Sequence, residues 1–361
     1  MIIPRLLVLY EYSPVGLPHG SAYIRLLQPL THPSIDGRFY VTPAPVYYGQ
    51  EAEIVLVDRL WRSDCTPEMA AQLASDVRQR GAKLVYQIDD DLLALPGDDP
   101  LAAAKREIVA TFLREADGVL VSTPALRARY ASLNSQIRVV GNALDERLVV
   151  KGVSLSGSDE GRMVLGYMGT LTHDDDLLLL LPALDEASAS LTVPLELQII
   201  GGVADPQTLA QLGQLPFPIT HLMSPSPEYP QFLPWFTGNV RWDIALAPLR
   251  DTPFNRAKSD IKFLDYAALG AAGVYSDLPV YADSVRHGET GLLAANDTAS
   301  WAAALRSLIE QPALRRELAA NARRYLYNER ILAVRAADWA DALEAIWRGD
   351  EPKPKSKPLS H

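Results

Sequence analysis

Asp243-Ile-Ala-Leu-Ala247 runs directly into Pro248-Leu-Arg-Asp-Thr-Pro-Phe-Asn-Arg-Ala-Lys-Ser-Asp-Ile-Lys-Phe-Leu-Asp-Tyr-Ala-Ala-Leu-Gly270. The apolar run ending at Ala247, stopped by a proline, reads as a short buried strand. Ser259 is a suitable N-cap with Asp260 in the first turn, and Gly270 is a suitable stop, which predicts a helix over 260–269. Lys262 falls in its first turn and Lys258 just before it. Cations there oppose the helix macrodipole at about 0.3–1 kcal/mol each. A bound anion reverses that sign, and free backbone N–H groups with two lysines suit a diphosphate. Asp265, one turn on, is placed to accept hydrogen bonds from ribose hydroxyls. The same spacing equally allows Lys262 to pair with Asp265, so both readings stay open.

The strand-then-helix unit is repeated along the chain. Short apolar runs at 6–10, 54–57, 84–88, 118–122 and 137–140 alternate with helical patterns at 67–81 and 101–116. A Gly/Ser-rich stretch at 151–161 has no apolar period and reads as a linker. The rhythm restarts with strands at 163–168, 195–200, 244–247, 273–276 and 291–294. Helices are predicted at 177–189, 299–310 and 313–325. The fold class this implies is α/β, with two Rossmann-like, doubly wound domains facing across a cleft. Their expected bounds are 1–150 on the acceptor side and 162–330 for the nucleotide-binding side. A helix at 331–348 is expected to pack back on the first domain, followed by a disordered Pro/Lys-rich tail at 349–361.

Composition narrows the function. The 361 residues fit about two domains, with 48% hydrophobic and 22% charged residues as in ordinary globular proteins. A net charge of −10 argues against nucleic acid as a partner, which needs a basic surface. It leaves room for a small anion held by a few N–H groups and cations. Cys65 is the only cysteine, so no disulfide within the chain forms and a structural zinc site is disfavoured. The first apolar run is broken by Pro4 and Arg5, and the run at 177–184 is far too short to span a bilayer. A cytoplasmic protein is expected. The three lysines of the tail allow at most a weak peripheral membrane contact at the inner face.

The segment Phe254-Asn-Arg-Ala-Lys-Ser-Asp-Ile-Lys-Phe-Leu-Asp-Tyr-Ala-Ala-Leu-Gly270, with Gly273-Val-Tyr-Ser276 and His287-Gly-Glu-Thr-Gly-Leu-Leu293 after it, resembles the donor-binding motif of GT-B glycosyltransferases of the GT4 type. The resemblance covers most of 163–330. In the first half, Tyr86-Gln-Ile-Asp-Asp-Asp-Leu92 is similar to bacterial O-antigen and surface-polysaccharide members. It implies an enzyme that moves a sugar, with retention, from a nucleoside diphosphate sugar to a glycan or lipid-linked acceptor hydroxyl. The nucleotide-sugar is then a substrate. No cofactor and no metal are expected. Two acidic residues eight positions apart bracket this loop in the family. The second maps onto Asp265, and the first would map onto Ala257, a departure that leaves Asn255 or Asp251 to meet the sugar hydroxyls.

The resemblance places a diphosphate loop at Gly166-Tyr-Met-Gly-Thr-Leu-Thr-His173, making Gly169, Thr170 and His173 donor-binding candidates. The family's nearby basic residues are missing there, and His173 is the substitute. Gly201 borders the nucleobase in this reading, and Asn255 and Ser259 belong to the donor loop. In Pro14-Val-Gly-Leu-Pro-His-Gly20, Gly16 is a donor-side candidate and His19 joins Lys258 and Lys262 as a catalytic one. Asp89-Asp90-Asp91 has the hard-oxygen character of a divalent-metal site, but the GT-B resemblance favours substrate contact or loop capping. Asp174-Asp-Asp176 reads as an acidic first helical turn. Two rivals share this scaffold: a sugar-nucleotide 2-epimerase, and a non-catalytic nucleotide-binding or scaffold protein.

Overall fold

The computed structural model describes residues 3–13, 15–95, 97, 100–151, 161–169, 174–189, 193–203 and 205–352. Most of the expected linker and tail, at 152–160 and 353–361, lies outside them. The chain divides into two compact units, one of residues 1–141 with 335–361, the other of residues 142–334.

The first unit is built on six parallel strands: β1 (Arg5–Leu9), β2 (Tyr40–Ala44), β3 (Ile54–Asp58), β4 (Lys83–Ile88), β5 (Gly118–Val121) and β6 (Ile137–Val139). They lie in the order β2-β1-β3-β4-β5-β6. β3 is buried along its whole length, as expected for an inner parallel strand covered on both faces. Thr66 caps the helix Pro67–Gln79 by accepting from the Met69 N–H at 3.2 Å, with proline at the first position. β2, Tyr-Val-Thr-Pro-Ala, escapes sequence reading because it is a half-exposed edge strand containing Pro43. From Arg335 onward the helix Leu332–Arg348 belongs to this unit. Its Trp339 indole donates to the Arg25 carbonyl at 2.7 Å. Its Ile346 sits so close to Gly118 that a Cβ there would lie 2.6 Å away.

The second unit is also six parallel strands: β7 (Met163–Gly169), β8 (Leu195–Gly201), β9 (Ile219–Leu222), β10 (Ile244–Ala247), β11 (Ala272–Ser276) and β12 (Leu292–Ala294). The order is β12-β11-β10-β7-β8-β9. The chain leaves β7 in one direction through β8 and β9, then returns to build β10 to β12 on the other side. The crevice between β7 and β10, outside their C-terminal ends, is therefore a topological switch point, where open α/β sheets take ligands. Fully buried Trp301, Leu305 and Leu308 pack with Leu165, Leu197 and Val274 in the core. β9 and the helices Pro206–Leu212 and Tyr229–Asn239 escape sequence reading. The strand is a half-exposed edge, and the second helix holds Pro234 in its interior.

Candidate functional site

β7, on one side of the switch point, and its other neighbour β8 both end in glycine. Gly169 closes β7 opposite Gly201 at the end of β8. Gly201 has φ 95°, and a Cβ there would stand 1.8 Å from the Gly169 carbonyl oxygen. The two backbones meet with no space for a side chain. Gly201→Ala is expected to destabilise the protein by about 2–4 kcal/mol, from left-handed strain and overpacking together. A urea midpoint equal to the wild type would show that the strand ends part freely. Thr170 and His173 lie outside the described residues.

Across the crevice, the loop after β10 is held at its start. The Leu249 N–H donates to Ser276 Oγ at 2.8 Å, and the Arg250 N–H donates to Asp176 Oδ1 at 2.7 Å. The acidic turn thus does more than start a helix. Asp176 is buried and ties the segment after β7 to the loop after β10. A short helix follows, Pro253–Arg256, capped by Thr252. Asn255 donates through Nδ2 to the Arg250 carbonyl at 2.9 Å, and Asp251 is gripped by Arg256 at 2.5 and 2.7 Å. Ala257, at the family's acidic position, is buried. The Lys258 ammonium lies 4.8 Å from the centre of the Phe254 ring.

The next helix spans Ile261–Leu269 and ends at Gly270 in the left-handed conformation, φ 85°. Its start corrects the expectation that Ser259 is the N-cap. The cap position is Asp260, and its side chain makes no capping bond. It turns instead to Arg330, whose two terminal nitrogens reach it at 2.8 and 3.0 Å, and to the Ser284 hydroxyl. Ser259 Oγ accepts from Asn142 Nδ2 at 2.9 Å. No side chain therefore caps this helix N-terminus.

Lys262 Nζ is buried and has no hydrogen-bond partner among the described residues. It lies 4.8 Å from the Tyr167 ring centre. Burial pushes its pKa down to about 8, helped by repulsion from Lys258 and opposed by Asp176. The alternative in which Lys262 pairs with Asp265 fails, because Asp265 Oδ1 accepts from the Tyr229 hydroxyl at 2.7 Å. Asp265 is only 3% exposed, and burial pushes its carboxyl up to about 7, against the lowering effect of that hydrogen bond. Gly169, Lys258 and Lys262 thus belong to the elements that border the β7–β10 crevice, while Gly201 ends β8 on the far side of β7. Asp265 is buried beside Tyr229.

Gly16 and His19 belong to the first unit. Gly16, φ 83°, tips a turn closed by a Ser13 N–H to Leu17 carbonyl bond at 2.8 Å. In the same unit, Arg59 adopts φ 47°, a left-handed conformation that costs an arginine about 1–2 kcal/mol. From there its guanidinium reaches Glu11 at 2.9 Å, Asp89 at 2.8 Å and Asp90 at 3.1 Å. Asp91 pairs with Arg129 at 2.9 Å and accepts from the Tyr130 hydroxyl at 3.2 Å. The aspartate triplet therefore faces cations and a hydroxyl of its own chain. Asp58 is buried beside this group, accepting from Gln87 at 3.1 Å. Burial, then Glu11 and Asp89, push its carboxyl up to about 7.

Residues 162–311 match the family described as glycosyl transferases group 1. A D-inositol 3-phosphate glycosyltransferase of Rhodococcus erythropolis (strain PR4 / NBRC 100887) is 28% identical over 252 residues, 64% of this chain and 54% of the relative. The chain thus spans about half the length of that relative. Among solved structures, Anabaena HepE in complex with UDP and glucose superposes with a TM-score of 0.67 at 14% identity, covering 95% of this chain and 100% of that one. A glycosyltransferase from Rickettsia africae ESF-5 gives 0.63 at 10% identity, covering 95% and 98%. At these identities the structures speak for the fold alone. Two Rossmann-like sheets in one chain are the architecture of the GT-B class. The chain has the two-sheet GT-B fold, and its second unit is similar to the group 1 glycosyl transferases over residues 162–311. Among the described residues no helix is long and apolar enough to cross a membrane.

Proposed function

We propose that the chain transfers a sugar from a nucleoside diphosphate donor to an acceptor hydroxyl, with retention, in the assembly of a bacterial surface polysaccharide. One observation carries the donor half: the buried Lys262 ammonium without a hydrogen-bond partner, on an uncapped helix N-terminus at the switch point. A buried charge is costly unless paired. A diphosphate supplies the missing partner and satisfies the free N–H groups as well.

In the reaction the bond from the donor's anomeric carbon to the β-phosphate oxygen breaks, and one from the acceptor oxygen to that carbon forms. The acceptor proton passes to the leaving phosphate. Negative charge develops on that phosphate, so Lys258, Lys262 and the helix N–H groups act where the transition state needs them. Gly169 and Gly201 let the backbone approach the ligand. Asp265 takes the ribose after giving up or sharing its bond to Tyr229. Asn255 and Ser259 lie on the donor loop, and His19 is the first unit's candidate for the sugar-transfer step. A structure similar to this fold holds UDP, which makes UDP-sugars the first donors to try.

The test is to incubate the protein with UDP-, GDP- and dTDP-sugars and follow nucleoside diphosphate release by chromatography. Release from one donor, accelerated by a hydroxyl acceptor and giving a product of unchanged anomeric configuration, is the expected result. An epimerised donor with no net transfer would move the reading to the 2-epimerase. Donor binding without turnover across a broad acceptor panel would move it to a non-catalytic binder.

A further inference from the structure

The first unit holds a pocket of about 210 Å³ from whose lining the transfer reading uses His19 alone. Glu11 and Tyr12, after β1, and Leu60, after β3, line it together with His19, Lys105 and Ile108. In the strand order β2-β1-β3, β1 and β3 flank the point where the chain changes direction, so the pocket sits at this sheet's own switch point. Its size is below the roughly 300–1,000 Å³ of sites that swallow drug-sized molecules, and suits a single small ring.

Glu11 is held through Oε2 by Arg59 at 2.9 Å, a guanidinium it shares with Asp89 and Asp90, so this carboxylate is fixed in place. Arg62 places Nε and a terminal nitrogen on Asp64 at 2.8 and 2.7 Å, a closed pair. Lys105 is different. It is half-buried on the helix Pro100–Glu115, and no described carboxylate pairs with it. Its neighbour Arg106 is turned away onto the carbonyls of Leu95 and Gly97, at 3.0 and 2.8 Å. A lysine with no carboxylate partner among the described residues therefore lines the same cavity as a fixed carboxylate acceptor and the apolar side chains of Leu60 and Ile108.

We propose that this pocket binds an anionic sugar unit, with its carboxylate or phosphate on Lys105, a hydroxyl donating to Glu11, and its ring against Leu60 and Ile108. The apolar wall favours the C–H face of a pyranose over a bare ion. The His19 imidazole lines the same cavity and adds a second donor to the anion. The inference rests on the transferase reading only in making this unit part of the acceptor. Binding is measurable without donor or turnover.

The experiment is calorimetric titration of glucuronate, glucose 6-phosphate, methyl α-glucoside and inorganic phosphate into the full-length protein without nucleotide. It is repeated for Lys105→Ala and Lys105→Arg, with UDP titrated in parallel. At least one charged sugar is expected to bind about tenfold or more tighter than methyl α-glucoside, the scale of one charge-assisted hydrogen bond. Lys105→Ala is expected to remove that advantage, Lys105→Arg to restore most of it, and both to leave UDP affinity unchanged. Preference for glucuronate or for glucose 6-phosphate tells a uronate from a sugar phosphate, and either supports the proposal. Equal affinity for charged and neutral sugars, or no binding of any sugar at millimolar concentration, would overturn it. Inorganic phosphate binding as tightly as glucose 6-phosphate would overturn it too, by reducing the pocket to an anion site. UDP binding that fails while the charged sugars bind would count against the donor reading alone.

Discussion

Lys262→Met is expected to yield a protein that is more stable than the wild type and unable to hold a nucleoside diphosphate tightly. Both effects come from one atom. The Lys262 ammonium is buried without a hydrogen-bond partner among the described residues, and burial lowers its pKa from 10.5 to about 8. A shift of that size is worth about 3 kcal/mol of unfavourable charge burial at neutral pH, an upper figure because the side chain is only half-buried. Methionine keeps the stem and removes the charge. A gain of about 1–3 kcal/mol is expected by urea denaturation at pH 7.

The pH dependence has a definite sign. Because the folded-state pKa is depressed, the unfolded chain binds one more proton between about pH 8 and 10.5, so wild-type stability rises with pH across that window. Lys262→Met is expected to lack that rise. UDP affinity runs the other way. It is expected to weaken above about pH 8, where the free protein loses the ammonium that the diphosphate needs. At pH 7 the substitution is expected to weaken UDP about 10–100-fold, the worth of a hydrogen bond to a charged group. Loss of stability with unchanged UDP affinity would mean that the lysine only packs against Tyr167.

Arg330→Met is expected to be the more damaging substitution to the fold, at about 3–5 kcal/mol. Arg330 and Asp260 are both largely buried and meet through two nitrogens and two oxygens. The same guanidinium reaches the Asn142 carbonyl at 3.0 Å and Ser284 Oγ at 3.2 Å. Removing it leaves a buried carboxylate with only a hydroxyl for company. The double variant Asp260→Asn/Arg330→Met is expected to recover part of the loss, because the stranded charge goes too. Urea midpoints of the two single variants and the double one measure this. A loss below about 1 kcal/mol would place the pair among weak surface bridges. Since Asp260 immediately precedes the helix that carries Lys262, Arg330→Met is also expected to loosen UDP binding.

How much of this was legible in the sequence depended on whether the signal was local. Inner parallel strands such as Ile54–Asp58 are continuous apolar runs and read directly. Edge strands Tyr40–Ala44 and Ile219–Leu222 are half-exposed and polar, so they do not. The helix Tyr229–Asn239 was hidden by its own prolines, one at the first turn and Pro234 inside, since proline reads as a breaker. The donor loop was legible in order and spacing because strand, loop and helix are contiguous. The partners that decide what its side chains do are distant. Tyr229 is 36 residues from Asp265, and Arg330 is 70 from Asp260. The sequence therefore left Lys262 balanced between a ligand and Asp265, and tertiary packing removed the second choice. Asp260 took the cap position from Ser259 for the same reason. Nothing local marks Arg59 either, whose left-handed backbone aims it at Glu11, Asp89 and Asp90.

The diphosphate cradle around Lys262 is tested most directly by calorimetric titration of UDP, UMP and uridine into wild type and Lys262→Met at pH 7. The expected result is that wild type prefers UDP over uridine by about tenfold or more, and that Lys262→Met loses most of that preference while binding uridine as before. Equal preference for UDP in both proteins would contradict a phosphate-gripping role for Lys262, and with it the nucleotide-sugar site at the β7–β10 crevice.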